Sequence, residues 1–307
     1  MSRPSASIDP TAPLGRVRGV ISVVPAHRQL EGAGFAVYRP FPTTGFDMLD
    51  PFLMLDEKEP QVYAPGEAKG APDHPHRGFE TVSYVLEGET EHSDSLGNRG
   101  IIRTGDVQWM TAGDGIVHCE MPSERIQREG GRTHGFQVWV NLPSHLKRTT
   151  PRYQSIEAAD IPIAAGDGWQ AKVIAGDILG VIGPAGTHTP IVYAHLTIQP
   201  GATLDVELPS DHQAGVYVFD GAGEVGADAR PVAQHELAVL AAEPGGIRLA
   251  APSDASQPVE ALLLAGVPIG EPVARHGPFV MNSREELIEA VEDFQAGRMG
   301  TIAPLGA

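Results

Sequence analysis

The chain has 307 residues and a formal net charge of −17, from 22 Lys and Arg against 39 Asp and Glu. At about 150 residues per domain, this length predicts roughly two domains. The acidic excess argues against a nucleic-acid surface, because DNA binding depends on basic side chains that release counterions. The single cysteine, Cys119, excludes an internal disulfide and fits a reducing compartment.

The N-terminal segment is polar and rich in proline. Residues 1–15 lack the apolar core of a signal peptide or membrane anchor, and we expect a loose tail there. No stretch approaches the ~20 apolar residues that a membrane helix needs. We therefore expect a cytoplasmic protein that contacts neither a membrane nor nucleic acid directly.

Short apolar runs that end at Gly, Pro or Asp follow one another from Val17 onward. With 36 Gly and 27 Pro in the chain, this pattern is typical of many short strands joined by turns, as in a sandwich or barrel. Examples are residues 81–86, 136–140, 191–198 and 216–219. The polar, irregular stretch 144–170 places a domain boundary near 145–160.

The two halves of the chain resemble each other. Residues 83–88 resemble 216–221 at an offset of 133, and residues 105–110 resemble 235–240 at an offset of 130. This internal similarity predicts two copies of one β unit, with a small change of loop length between them.

One helix is predicted near the C-terminus, over residues 283–296. Ser283 and Glu286 have the spacing of a capping box, and Gly297 can end the helix in a left-handed conformation. The apolar stripe of this helix predicts a packing role, and its members are Leu287, Ile288, Val291 and Phe294.

Four potential metal ligands occur in two pairs, His74 with His76 and His118 with Glu120. Side chains two residues apart share a face of a strand, so each pair offers two converging donors if its segment is extended. Pro75 favours extension at His74. Three imidazoles and one carboxylate suit iron, nickel, manganese, cobalt or zinc, and an octahedral ion would keep two positions open for substrate and O2 or water.

The segment 74–88 resembles the first cupin motif, which consists of a histidine pair, a glutamate and a glycine. In this chain Glu80 and Gly88 stand at the glutamate and glycine positions. More specifically, the chain resembles the pirin family, and the stretches that carry the resemblance are 74–82, 105–113, 118–122, 137–143 and 276–282. The resemblance implies an all-β bicupin, with two tandem cupin (jelly-roll-like) β-barrels and a short C-terminal helix. It also implies one mononuclear metal in the N-terminal barrel, held by His74, His76, His118 and Glu120. In the generic cupin pattern the carboxylate ligand of the metal would be Glu80 instead of Glu120. We expect Glu80 to support the site or to lie on the strand surface.

The resemblance and the internal repeat together define the expected domains. These are a tail (1–15), a metal-binding cupin (16–148), a second cupin without the ligands (149–270) and a C-terminal segment (271–307). At the two offsets, the ligand positions fall in the second copy on Glu207, Pro209, Arg248 and Ala250. We therefore expect one metal site per chain.

The resemblance implies quercetin (flavonol) 2,3-dioxygenase activity, in which O2 opens the flavonol and carbon monoxide is released. Glu120 is the expected catalytic base, and the expected cofactor is one divalent ion, Fe(II), with Mn, Co, Ni, Cu or Zn as alternatives. The resemblance also permits a metal- or redox-dependent regulatory protein that binds a transcription factor or metabolic enzyme without catalysis. A zinc hydrolase or isomerase is disfavoured, because three His and one Glu would close a tetrahedral site. We expect a monomer.

Several further residues near the motifs have less specific expectations. Strand alternation turns Cys119 away from the metal, as a small buried hydrophobic residue. His92 is expected in a solvent-facing turn, and His134 is expected outside the pocket. The candidates for the barrel interior, of which some should line a pocket, are Trp109, Met110, Phe136, Val138 and Trp139.

Overall fold

The computed structural model describes residues 14–303, which contain 26 β-strands and two α-helices. The expected all-β class with a short C-terminal helix is confirmed. The tail predicted for residues 1–15 lies almost entirely outside the described residues. The chain divides into a first unit, His27–Ala158 with the residues from Ile269 onward, and a second unit, Ala159–Pro268 with the residues up to Ala26.

The first unit contains a seven-stranded sheet in the order β12-β9-β6-β11-β4-β3-β2, a four-stranded sheet in the order β5-β10-β7-β8, and the pair β25-β26. Strands are numbered in chain order. Those of this unit are β2 His27–Glu31, β3 Phe35–Phe41, β4 Phe52–Tyr63, β5 Ala71–His76, β6 Phe79–Glu87, β7 Glu89–Asp94, β8 Arg99–Arg103, β9 Val107–Thr111, β10 Ile116–Pro122, β11 Gly131–Asn141, β12 Arg152–Ile156, β25 Ala274–His276 and β26 Phe279–Met281.

The second unit repeats this plan, with a seven-stranded sheet in the order β1-β22-β19-β24-β17-β14-β13, a four-stranded sheet in the order β18-β23-β20-β21, and the pair β15-β16. Its strands are β1 Val20–Pro25, β13 Ile163–Gly166, β14 Trp169–Ala175, β15 Asp177–Ile178, β16 Val181–Ile182, β17 Ile191–Ile198, β18 Thr203–Val206, β19 Gln213–Asp220, β20 Gly223–Val225, β21 Arg230–Val232, β22 Glu236–Leu240, β23 Ile247–Ala250 and β24 Val259–Gly266.

The strand orders of the two units match position by position. Strands β6 and β19 occupy the same place in their seven-stranded sheets, and so do β9 and β22. These are the strands that carry the internal sequence similarity. The predicted repeat of one β unit is therefore present in the structure.

The four-stranded sheet of the second unit is apolar where that of the first unit carries histidines. In the first unit His118 of β10 lies opposite His74 of β5. In the second unit the buried partners across β18 and β23 are Leu204 with Leu249 and Val206 with Ile247, and all four are fully buried. Strand order and buried face therefore place Leu204, Val206 and Leu249 at the positions of His74, His76 and His118.

The positions expected from the sequence offsets were Glu207, Pro209, Arg248 and Ala250, and these are wrong by one to three residues. The reason is that the loop lengths around β18 and β23 differ from those around β5 and β10, so neither offset holds at these strands.

The expected domain boundaries differ from the observed units at both ends. Strand β1 pairs with β22, so residues 14–26 belong to the second unit. Strand β12 pairs with β9, which extends the first unit to Ala158. The segment from Ile269 onward packs on the first unit. Each difference arises from pairing between strands distant in sequence, which a composition change along the chain does not reveal.

The predicted C-terminal helix is α2, Arg284–Gln295. The Ser283 hydroxyl accepts a hydrogen bond from the Glu286 backbone N–H, and the Glu286 carboxylate accepts one from the Ser283 backbone N–H, so the predicted capping box is present. Leu287 packs in a cluster with Phe279 and Met281, whereas Ile288 stays half exposed. The other helix, α1, is the short segment Glu124–Glu129. Within residues 14–303, no helix is long and apolar enough to cross a membrane.

Candidate metal centre

Three neighbouring strands, β5, β10 and β7, bring ionisable side chains onto one buried face of the four-stranded sheet. His118 of β10 lies opposite His74 on one side and Asp94 on the other, and Glu120 lies opposite His92. Residues directly opposite in an antiparallel pair share a face. The two predicted same-face pairs, together with His92 and Asp94, therefore place six ionisable side chains on this face.

His74, His76 and His118 form one group of possible metal ligands. One ligand atom from each lies within 4.8 Å of the others. The Nε2 atoms of His74 and His76 are 3.0 Å apart. Three of the four ligands predicted from the sequence thus converge on one point.

The backbone fixes which nitrogen of His74 and His76 carries the proton. Nδ1 of His74 is 2.7 Å from the Pro72 carbonyl oxygen, and Nδ1 of His76 is 3.1 Å from that of Pro278. A carbonyl oxygen only accepts, so each Nδ1–H donates and each Nε2 keeps a lone pair. Two facing lone pairs repel each other unless a cation lies between them. Such backbone hydrogen bonds typically orient histidine ligands of metals.

His118 is fully buried, and in the described part of the chain neither of its ring nitrogens has a hydrogen-bond partner. A buried imidazole normally has at least one partner. Burial, with the nearby His76 and His74, holds the pKa of His118 well below its usual range, and burial beside His74 lowers the pKa of His76 to about 3. Both rings are therefore neutral at physiological pH, the form that binds metal ions.

Glu120 is held by three side-chain donors. Its Oε1 accepts hydrogen bonds from Ser83 Oγ at 2.6 Å and Gln108 Nε2 at 2.9 Å, and its Oε2 accepts one from Gln137 Nε2 at 3.1 Å. Its carboxylate belongs to a second group of possible ligands with His118 and His92. The predicted four-ligand set is thus arranged as two groups that share His118.

The solvent-facing turn expected at His92 is wrong. His92 lies in β7, is fully buried, and has its Nε2 3.2 Å from Asp94 Oδ2. Its ring stacks on Tyr153 with centroids 4.8 Å apart. The signal was present in the sequence, because His92-Ser-Asp94 is a third same-face pair. The polar and glycine residues around it favoured a turn instead.

A cavity of about 670 Å³ opens onto the candidate ligands in the first unit. His74, His76 and Glu120 contribute to its wall, with Gln137 and Trp139 beside them. A volume of this size suits a drug-sized molecule.

Two of the five residues expected in the barrel interior, Phe136 and Trp139, line this cavity. The other three, Trp109, Met110 and Val138, are fully buried core residues that lie outside the lining.

His134 also lines the cavity, so the expectation that it lies outside the pocket is wrong. It is only 9% exposed, and its Nε2 is 3.0 Å from Oε1 of the buried Glu57. Lys58 is a further lining residue, and burial lowers its pKa while the nearby Glu120 opposes that shift.

Comparison with known proteins assigns the family. The Pirin family model matches residues 34–140, and the model for the Pirin C-terminal cupin domain matches residues 193–300. The chain belongs to the pirin family. The cupin identity of both β units is thereby confirmed.

Individual pirins and related structures show the extent of the similarity. A pirin-like protein of Solanum lycopersicum is 42% identical over 286 residues, which cover 93% of this chain and 94% of that protein. The crystal structure of quercetin 2,3-dioxygenase from Acinetobacter baumannii has a TM-score of 0.86 and 38% identity, covering 93% of this chain and 99% of that one. A bacterial pirin, YhhW from Escherichia coli in complex with nickel(II), shares the fold at a TM-score of 0.61 and 18% identity, covering 80% and 98% of the two chains.

Two further residues of this pirin, Glu80 and Cys119, belong to neither ligand group. Glu80 on β6 is fully buried, and its Oε1 accepts a 2.6 Å hydrogen bond from Thr111. Cys119 is half-buried on β10. Burial is the main cause that raises the pKa of its thiol, and the nearby charge of Asp73 raises it further. A thiol with a raised pKa is a poor thiolate ligand at neutral pH.

The donors of this pirin chain fit a divalent metal ion. Two Nε2 lone pairs face each other, a third imidazole is buried without a hydrogen-bond partner among residues 14–303, and a carboxylate lies beside it. Imidazole with carboxylate suits several first-row ions and does not by itself select one of them.

Proposed function

We propose that this pirin is a flavonol 2,3-dioxygenase of the quercetinase type, with one Fe(II) ion held by His74, His76, His118 and Glu120. The observation that carries the proposal is the cavity of about 670 Å³ whose wall contains two of the three clustered imidazoles and the Glu120 carboxylate. The similarity to a quercetin 2,3-dioxygenase along nearly the whole chain supports it.

The reaction adds both atoms of O2 to the flavonol and releases one ring carbon as carbon monoxide. When bound, the metal ion would act as a Lewis acid toward the flavonol oxygens and supply the redox chemistry that O2 requires. Iron suits this role, since zinc has no accessible redox change.

Glu120 is the proposed general base for the 3-hydroxyl of the flavonol. Its carboxylate borders the cavity and can accept a proton within hydrogen-bond reach. Ser83, Gln108 and Gln137 fix the orientation of its two oxygens, so the proton is received in a defined direction. Proton transfer activates the substrate because the resulting oxyanion is electron-rich.

The aromatic wall of the cavity would position the flavonol rings. Trp139 packs edge-on against His76, with ring centroids 5.3 Å apart, and its ring is tilted by 34° to that of Phe79, with centroids 4.3 Å apart. A flat aromatic substrate gains contact area against such a surface, and its burial excludes water from the reacting centre.

The proposal is tested by incubating iron-loaded protein with quercetin and following both the loss of visible absorbance and the release of carbon monoxide. We expect turnover in the wild type and at least a hundredfold loss in Glu120→Gln with its metal retained. Glu91→Gln, on the outward face of neighbouring β7, is the matched control and should retain full turnover.

Absence of turnover with iron, manganese, cobalt, nickel and copper alike would contradict the proposal and favour the regulatory alternative. Undiminished turnover in metal-loaded Glu120→Gln would contradict the assigned base alone.

A further inference from the structure

His92, His118 and Glu120 form a second three-donor group beside the first, with their ligand atoms all within 4.8 Å of one another. We propose that this group is a second cation position, which a divalent metal ion of mixed nitrogen and carboxylate preference occupies as an alternative to the His74–His76–His118 position. The inference goes beyond the proposed function and does not depend on flavonol turnover.

The surroundings of His92 are those of a metal ligand. The Asp94 carboxylate acts as a hydrogen-bond acceptor. It also receives hydrogen bonds from the backbone N–H groups of Leu96 and Asn98 and from the Asn98 side chain. Nε2 of His92 therefore donates to Asp94 Oδ2, and Nδ1 keeps its lone pair. Ligating histidines typically donate their second N–H to a carboxylate in this way.

The free nitrogen of His92 is buried without a partner. Its side chain is fully buried, and Nδ1 has no hydrogen-bond partner among residues 14–303. A buried polar atom without a partner loses its hydrogen bonds to water and gains none in exchange, so natural proteins keep few such atoms. His118 has both ring nitrogens in the same condition, in the same ligand group. A cation between these rings and Glu120 would satisfy the lone pairs.

The two positions share His118, which makes them alternatives for one ion. A neutral imidazole has one lone pair, and binding a second cation would require loss of its N–H proton. Two divalent ions a few ångströms apart would also repel each other strongly in a buried site. One ion per chain is therefore expected, distributed between two positions. The outer position has three imidazoles, which Glu120 would join in the proposed function, and the inner position has two imidazoles and the same carboxylate.

Glu120 connects the inner position to the cavity. It lines the cavity wall, whereas His92 and His118 do not, so an ion reaches the inner donors past the Glu120 carboxylate. Transfer to the inner position frees His74 and His76, which remain on the cavity wall. The ligand field of the ion would then change without any change in stoichiometry.

Co(II) is a suitable probe, since its visible spectrum reports its ligands. The variant His74→Ala/His76→Ala removes two of the three outer donors and leaves the inner group intact. We expect it to bind one equivalent of Co(II) by equilibrium dialysis, about a hundredfold more weakly than the wild type and with a changed visible spectrum. Adding His92→Ala should weaken binding at least a further hundredfold. Adding His145→Ala instead, an exposed histidine outside both groups, should change nothing.

Two outcomes would overturn the inference. One is a folded double variant, checked by circular dichroism, that binds no Co(II). The other is Co(II) binding by the double variant that survives His92→Ala. If the double variant does not fold, His74→Ala alone serves, because His74 is only half-buried. In that background His92→Ala should lower Co(II) affinity tenfold or more, and an unchanged affinity would refute the second position.

Discussion

His76 and Pro278 are joined by a 3.1 Å hydrogen bond from the imidazole Nδ1–H to the carbonyl oxygen, across 202 residues of sequence. The bond turns the lone pair of Nε2 toward His74 and His118. Nearby, the Val280 backbone N–H donates to the Arg77 carbonyl at 3.1 Å. The C-terminal segment thus orients one of the candidate metal ligands, and its anchoring should affect metal binding.

The ion pair between Arg77 and Asp293 is one such anchor. Arg77 follows His76, its side chain is 3% exposed, and its Nη1 lies 2.7 Å from Asp293 Oδ2 on α2. We expect Asp293→Asn to lower the free energy of unfolding by about 2 kcal/mol, because the buried guanidinium loses its nearest charged partner and keeps only Asp114, at 3.7 Å. Urea denaturation measures this loss, and Co(II) affinity should fall about tenfold with it.

The matched control for this prediction is Glu289→Gln, also on α2. Glu289 pairs with Arg148 at 2.8 Å, but both side chains are about half exposed, and such surface pairs contribute little. Equal losses in stability and metal affinity for the two variants would show that burial of Arg77 is not the deciding factor.

Lys147 should make stability depend on pH in the alkaline range. Its Nζ is buried and donates to the Gly78 and Val280 carbonyls and to Asn141 Oδ1 at 2.8–3.0 Å. Burial lowers its pKa to about 8 from 10.5. Between about pH 8 and pH 10.5, the unfolded chain binds more protons than the folded one. The free energy of unfolding therefore rises as the pH increases through this range.

The variant Lys147→Met isolates this contribution, since methionine has a similar length and no titrating group. The stability difference between wild type and variant should change by as much as about 3 kcal/mol across the window, in favour of the wild type at high pH. Guanidinium denaturation at half-unit pH intervals measures it. A pH-independent difference would show that Lys147 titrates alike in both states.

Ser83 should matter for turnover more than for metal content. Its hydroxyl donates to Glu120 Oε1 at 2.6 Å, which fixes the carboxylate without contacting the clustered imidazoles. We expect Ser83→Ala to lower kcat about tenfold, because the base loses one orienting donor, while the bound metal per chain stays unchanged. Steady-state kinetics and elemental analysis on the same sample test both parts. If Ser83→Ala instead lost its bound metal, the hydroxyl of Ser83 would be needed to hold Glu120 as a metal ligand.

The candidate ligands were predictable because they obey a local rule. His74 and His76, like His118 and Glu120, are two residues apart on extended segments, and the period of a strand puts each pair on one face. The helix from Arg284 was equally local, since its capping box lies within four residues. Predictions of this kind need only neighbours in sequence.

What could not be predicted depends on contacts between distant segments. The pairing of Val20–Pro25 with Glu236–Leu240 decides which unit contains this first strand, and nothing in the neighbouring sequence specifies that pairing. The burial of His92 likewise follows from its position opposite Glu120 on β10. Register between strands is set by the packing of whole faces, and a polar segment such as 91–95 carries little of that pattern.

Metal removal should loosen the first unit and leave the second unchanged. A ligand at a hundred times its Kd stabilises the native state by about 2.7 kcal/mol. The strands that carry the metal ligands should therefore open less often when the metal is bound. Hydrogen exchange with and without Co(II) should show metal-dependent protection in Ala71–His76 and Ile116–Pro122. Thr203–Val206 and Ile247–Ala250 should show none, because hydrophobic side chains fill their equivalent positions. His118→Ala should abolish the difference, and metal-dependent protection in the second unit would contradict the assignment of one site per chain.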